Sequence, residues 1–109
     1  MYKVNITEIA ERDILDAAIY IAHNLSNLTA ANRLLDDSDN AAKSLSKFPL
    51  RHPLVRDDIL AAKGLRSIPV KNYLMFYVVR EDPKRVNVIR FIHSRREWAK
   101  LFDESMFDD

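Results

Sequence analysis

The chain of 109 residues predicts an α+β domain in which a helical hairpin packs on one face of an antiparallel sheet, in the order β-α-α-β-β-β-α. Three observations predict it. The first half carries two long stretches with apolar residues at helical spacing. Residues 65–93 are short aromatic and β-branched runs broken by turn residues. The two patterns follow one another without interleaving, which argues against β-α-β units. With 48% hydrophobic and 30% charged residues the chain can bury one core, and without cysteine it is neither a disulfide scaffold nor a thiolate metal site. No apolar run approaches the roughly 20 residues that a membrane-spanning helix needs. Met1-Tyr2-Lys3-Val4-Asn5 lacks the apolar core of a signal peptide, so the expected address is cytoplasmic, with no membrane partner.

Lys3 to Ile6 alternates and reads as a short first strand, and Thr7 is suited to cap a helix starting at Glu8. From Glu8 onward Ala10, Ile14, Ala17, Ala18, Ile21 and Leu25 recur at helical spacing, with Glu11, Arg12, Asp13 and Asp16 on the other side. After the polar break Ser26-Asn27 a second stripe runs through Ala31, Leu34, Leu35, Ala41, Ala42, Leu45 and Phe48. It stops at Pro49, which cannot continue a helix. Two helices joined by a short turn make a hairpin. Residues 49–63 have no sustained period and read as a loop.

Leu65 to Val70 is a short strand in which Arg66 lies opposite Leu65 and Pro69 belongs at an edge or a bulge. Lys71-Asn72 is a tight turn. Tyr73 to Arg80 is apolar on both faces, which places it in the middle of the sheet. Glu81 to Arg85 turns into the strand Val86 to His93, with Val88 and Ile92 expected on one face and Ile89 and Phe91 on the other. Ser94-Arg95-Arg96-Glu97 matches a capping box and predicts a last short helix, with Trp98, Leu101 and Phe102 as its apolar side. Residues 1–102 are expected to form the single domain and 103–109 a loose acidic tail.

The net charge of +1 hides a segregation. Residues 1–50 carry five basic and seven acidic side chains, residues 51–102 twelve and five, and residues 103–109 none and four. A basic second half serves an anionic partner or neutralises the acidic half internally. Arg95 and Arg96 stand out, because the first turn of a helix disfavours cations by about 0.3–1 kcal/mol each. Two guanidinium forks beside helix N–H groups form a receptor for phosphate or carboxylate; the plain alternative is pairing with Glu97, an acid of the first helix or the tail. Arg90 and His93 lie on the strand leading into this turn and extend the patch. The His93 imidazole suits general acid or base work, or simply bonds nearby backbone or Glu97. Arg66 points into the same basic surface or sits at a solvated edge. Tyr73, Tyr77 and Phe91 read as core rather than base-stacking rings. His23 and His52 lack ligand spacing, and there is no phosphate-binding glycine loop, nucleophile motif or paired-carboxylate arrangement, so neither metal nor cofactor is expected.

Several spaced segments together carry a resemblance. They are Tyr2-Lys3-Val4 with Thr7 and Ala10, Ile19-Tyr20-Ile21, Ala30-Ala31, Leu45 with Pro49, Gly64-Leu65-Arg66, and residues 72–79 and 88–98. With them the sequence resembles the RelE/ParE superfamily of toxins from bacterial type II toxin–antitoxin modules, many known as plasmid stabilisation proteins. The resemblance implies a RelE/ParE-like fold and a growth inhibitor neutralised by a small cognate antitoxin laid across its surface. RelE-like members cut messenger RNA in the ribosomal A site, whereas ParE-like members poison DNA gyrase without being enzymes. The match to RelE-type residues thins out: Leu74 follows Tyr73 where an arginine is usual, the preceding strand offers Arg66 but no lysine pair, and Leu101 or Phe102 stands where a late tyrosine is usual. Arg95 does match the arginine after the last strand, and His93 falls close to a catalytic histidine of some relatives. The balance implies a ParE-like gyrase poison. The alternative is a RelE-like ribosome-dependent endoribonuclease with His93, Arg95 and Arg66 catalytic and Arg90 and Arg96 on the phosphate. A second alternative is an inactive relic that only binds its antitoxin. Operator DNA falls to the antitoxin, and the isolated chain is expected to self-associate through an exposed groove.

Overall fold

In the computed structural model, which describes residues 1–108, a four-stranded sheet has the order β1-β4-β3-β2. Its strands are β1 (Lys3–Ile6), β2 (Arg66–Val70), β3 (Tyr73–Glu81) and β4 (Lys84–His93); the helices are α1 (Glu8–His23), α2 (Leu28–Ser44) and a short α3 (Asp58–Ala62). Thr7 caps α1 by accepting the Ala10 N–H at 3.2 Å, and Asn27 caps α2 through the Ala30 N–H at 3.0 Å. Pro69 sits on the edge strand β2, where a missing N–H does least harm, and β3 occupies the interior of the sheet. The β2–β3 and β3–β4 pairs are antiparallel, but β1 joins β4 in parallel, so the predicted antiparallel sheet carries one parallel edge.

Both faces of the sheet are covered. On one, Ala10, Ile14, Ala17, Leu34, Ala42 and Leu45 of the hairpin region close over Met75, Tyr77, Val86, Val88 and Phe91. Alanines at the contacts let the helices approach closely. On the other, Leu65, Phe76, Val78, Ile89 and Ile92 are covered by Val55, Leu60 of α3 and the C-terminal segment, whose Trp98, Leu101, Phe102, Met106 and Phe107 pack against them.

Besides the parallel edge and the short α3 within the expected loop 49–63, further expectations change. The Ser94–Glu97 capping box does not open an α-helix: the chain makes two 3-10 turns, Trp98–Leu101 and Glu104–Phe107, and Glu97 pairs with Lys100 at 2.9 Å instead of reaching back. Large rings reaching for the sheet dictate that backbone more than helical periodicity does. The tail expected to be loose is held, because Met106 and Phe107 bury against the sheet and the Phe107 carbonyl accepts from Arg80 at 2.7 Å; Asp109 lies outside the described residues. A bulge in β4, where Phe76 faces Arg90 but Tyr77 faces Val88, breaks the alternation. Val88 and Phe91 therefore share the hairpin face, and Ile89 and Ile92 the other. Finally, Phe48 ends no buried stripe: it lies past the end of α2 and is 82% exposed.

Candidate functional site

The residues singled out from the sequence fall into three places. His93 ends β4 opposite Tyr73, and its ring lies edge-on to the Tyr73 ring at 5.1 Å. The next residues turn tightly: the Arg95 N–H donates to His93 Nδ1 at 3.2 Å, and the Arg96 N–H to the His93 carbonyl at 3.1 Å. That turn is stitched to the β2–β3 turn, since the Ser94 N–H donates to the Asn72 carbonyl at 2.9 Å. Arg95 and Arg96 are exposed, and among the described residues their guanidinium groups have no acidic partner. Of the acids nominated for them, Glu97 is engaged with Lys100, Glu104 with Lys63 and Asp13 with Arg90.

Beside this turn a cavity of about 350 Å³ opens between the hairpin and the sheet, lined by Leu25, Asn27, Arg33, Lys71 and Tyr73 among others. Lys71 takes a left-handed backbone, φ 55°, at the tip of the β2–β3 turn and pairs with Asp37 at 3.6 Å. Burial raises the Tyr73 phenol above its ordinary value, so it is a neutral hydrogen-bonding group at physiological pH. Arg33 and the Asp37-paired Lys71 thus edge this cavity around a half-buried aromatic, and Arg95 and Arg96 stand on the neighbouring turn after β4. Arg33 and Lys71 were missed from the sequence, because nothing local tells an exposed helical cation from one that a remote turn will meet.

Arg90 is elsewhere in its chemistry. Its Nε and Nη2 donate to both oxygens of Asp13 (2.7 and 3.1 Å), its Nη1 to the Leu101 carbonyl (3.0 Å), and the two side chains are only 15% and 16% exposed. The reason lies in the sheet. β1 pairs with β4 only as far as Val88, after which α1 crosses the open edge and Asp13 also accepts the Phe91 N–H at 3.0 Å. The bulge that turns Arg90 outward aims it at this carboxylate.

Arg66 is farther still. It pairs in register with Tyr77, four residues along β3 from the Tyr73–His93 pair, or about 13 Å along the strand, and two strands across from β4. It lies on the hairpin face with Tyr77, whereas Arg90 faces Phe76 on the other. Its guanidinium donates to the carbonyls of His52 (2.6 Å) and Leu50 (3.4 Å). No group of three or more His, Asp or Glu placed to hold a metal occurs among the described residues. What the corner can do is bind a surface rich in carboxylates or phosphates. It does not array an acid, a base and phosphate-binding cations around one point.

A family model for the ParE toxin of the type II toxin–antitoxin system, parDE, matches residues 4–98. Among solved structures, one similar chain comes from the chromosomal ParDE toxin–antitoxin system of P. aeruginosa. It is 18% identical with a TM-score of 0.66, over 85% of this chain and 96% of that one. Another, from the RelBE2 toxin–antitoxin complex of Mycobacterium tuberculosis, is 24% identical with a TM-score of 0.62, over 84% and 96% of the two chains. At these identities the likeness is one of fold. No curated protein matches the chain.

Proposed function

The chain belongs to the ParE toxin family of type II toxin–antitoxin systems, and from that premise we propose that it arrests growth in the cytoplasm by binding DNA gyrase rather than by cutting RNA. The observation that carries this reading is the scatter of the residues a nuclease would need. Arg66 and His93 are separated by about 13 Å along the sheet. Arg90 is bound to Asp13, and His93 Nδ1 accepts the Arg95 amide. No single phosphate could touch all four. A binding protein needs none of that convergence, only an exposed, complementary surface, and Arg95 and Arg96, which have no acidic partner among the described residues, supply one. A cognate antitoxin is the second partner. The hairpin offers it apolar side chains left in solvent, with Leu15 at 49% and Ile19 at 55% exposure, a surface that a chain without a partner would bury or replace. Operator DNA is then met only through the antitoxin.

The test sets two assays side by side on the purified chain. Accumulation of cleaved DNA in a gyrase reaction, abolished in Arg95→Ala/Arg96→Ala with an unchanged urea midpoint, is the expected result. Ribosome-dependent cleavage of a translated messenger, lost in His93→Ala, would overturn the reading in favour of an endoribonuclease, and absence of growth arrest in vivo would leave an antitoxin-binding relic. No helix among the described residues is long and apolar enough to cross a membrane, and the proposal involves none.

A further inference from the structure

The loop after α2 spends backbone strain to hold an aromatic ring in water. Phe48 adopts φ 50°, ψ 52°, a left-handed conformation that costs a bulky residue of order 1–3 kcal/mol unless its surroundings impose it, and it is 82% exposed. The surroundings do impose it. Arg51 folds back so that its guanidinium donates to the carbonyls of Lys47 (2.6 Å), Phe48 (3.1 Å) and Ser44 (3.4 Å) and to Ser44 Oγ (3.1 Å). Pro49 is buried and its carbonyl accepts the Tyr77 hydroxyl at 2.6 Å, while Arg66 holds the carbonyls of Leu50 and His52. Burial pushes the Tyr77 phenol up to about 12, so that donor is permanent across the physiological range. Three side chains from within therefore fix a rigid loop that presents Phe48 and Leu50, the latter 51% exposed.

Beside them opens an apolar cavity of about 730 Å³. Tyr2, Phe48, Pro49 and Leu50 supply apolar walls, and Lys47, Arg51 and Lys84 supply the charge. Lys84 Nζ stands 5.5 Å over the Tyr2 ring. Among the described residues no acid lines the cavity; Glu81, which accepts the Tyr2 hydroxyl at 2.7 Å, is not part of its lining. We propose that this cavity is a protein-docking site, distinct from the Arg95–Arg96 corner, for a polypeptide segment with one bulky apolar side chain flanked by carboxylates. The apolar anchor fills the cavity against Phe48 and the carboxylates meet Lys47 and Lys84 at the rim, the arrangement of a buried anchor within a polar surround. A nucleic acid fits less well. Its phosphates need a track of free cations, and here one of three guanidinium or ammonium groups is spent on its own backbone.

Selection of a random peptide library on the immobilised full-length chain tests this. The expected winners carry Leu, Ile, Phe or Trp between Asp or Glu. A synthetic winner should lose at least tenfold in affinity for Phe48→Gly and for Lys84→Glu, and should bind Arg95→Ala/Arg96→Ala unchanged. Phe48→Gly also separates binding from folding, because glycine accepts the left-handed backbone and the urea midpoint should hold or rise. Failure to enrich, or winners that are basic or bind Phe48→Gly equally, would overturn the proposal. So would two other results: a dimer of the parent chain in sedimentation that dissociates in Phe48→Gly, which makes a second copy the occupant, or binding of a fluorescent DNA or RNA oligonucleotide that this variant alone loses.

Discussion

The two faces of one sheet are covered by opposite means. On the hairpin face, α1 and α2 satisfy their own backbone hydrogen bonds and bring small side chains, Ala10, Ala17 and Ala42 among them, into contact with the strands. On the other, the cover is α3 and two 3-10 turns whose backbone is irregular. There the rings do the work: Phe76 packs against Trp98 at 5.0 Å and Phe102 at 5.2 Å, and Phe102 lies 6.2 Å from Phe107. Backbone order places side chains on the first face, and side-chain burial places backbone on the second. The two covers are joined where Arg90 of β4 binds Asp13 of α1 with one part of its guanidinium and the Leu101 carbonyl with another.

That junction offers the most severe way to break the contrast. Asp13→Ala leaves a largely buried guanidinium without its carboxylate and the Phe91 N–H without its acceptor, and the expected loss is about 3–5 kcal/mol in chemical unfolding. Loss of under about 1 kcal/mol would mean that the two faces hold independently of this pair. A milder pair of substitutions sharpens the comparison. Leu34→Ala in α2 and Trp98→Ala in the C-terminal segment should each cost about 2–4 kcal/mol. Only Trp98→Ala should open residues 99–108 to limited proteolysis under native conditions, since that segment hangs on its rings; equal protease resistance in both variants would refute the distinction. The smallest effect concerns pH.

His52 lies edge-on to Tyr77 and its Nε2 is buried without a hydrogen-bond partner among the described residues. Burial first, and then the Arg51 charge, lower its pKa below the ordinary 6.5. Because the folded state disfavours the imidazolium, its contribution is full above pH 6.5 and is lost as pH falls from there through the lower folded value. The decline in urea midpoint between pH 7 and pH 5 should be shallower in His52→Gln than in the parent, and parallel curves would remove His52 from the account.

The difference between the faces also decides what could be read in advance. The hairpin was legible because a period of 3.6 is a local signal: Thr7, Asn27 and the stripes through Ala31, Leu34 and Leu45 each announce themselves within a few residues. The strand order of β2, β3 and β4 followed from turn chemistry at Lys71-Asn72 and Asp82-Pro83. The C-terminal segment was not legible, because Trp98, Phe102 and Phe107 take their places from a sheet face that has no counterpart in their own spacing. The same applies to Arg90. Its sequence neighbours suggest a basic patch, and only the bulge and the early end of β1 turn it toward Asp13, 77 residues away. Arg95 and Arg96 stood out in the sequence as cations in a predicted helix start, and the structure places them exposed on a tight turn rather than a helix end.

The parallel pairing of β1 with β4 sets a clock on synthesis. Lys3 pairs with Arg85 and Ile6 with Val88, so the first strand made must wait for the last before it can join the sheet. At about 5–20 residues per second of translation, that wait is about 4–16 seconds, during which the helices can form but the sheet lacks an edge. High sequence separation at a closing contact also slows folding itself. The four-stranded sheet is thus complete only once residues 84–93 have been made, however early the helical hairpin has formed.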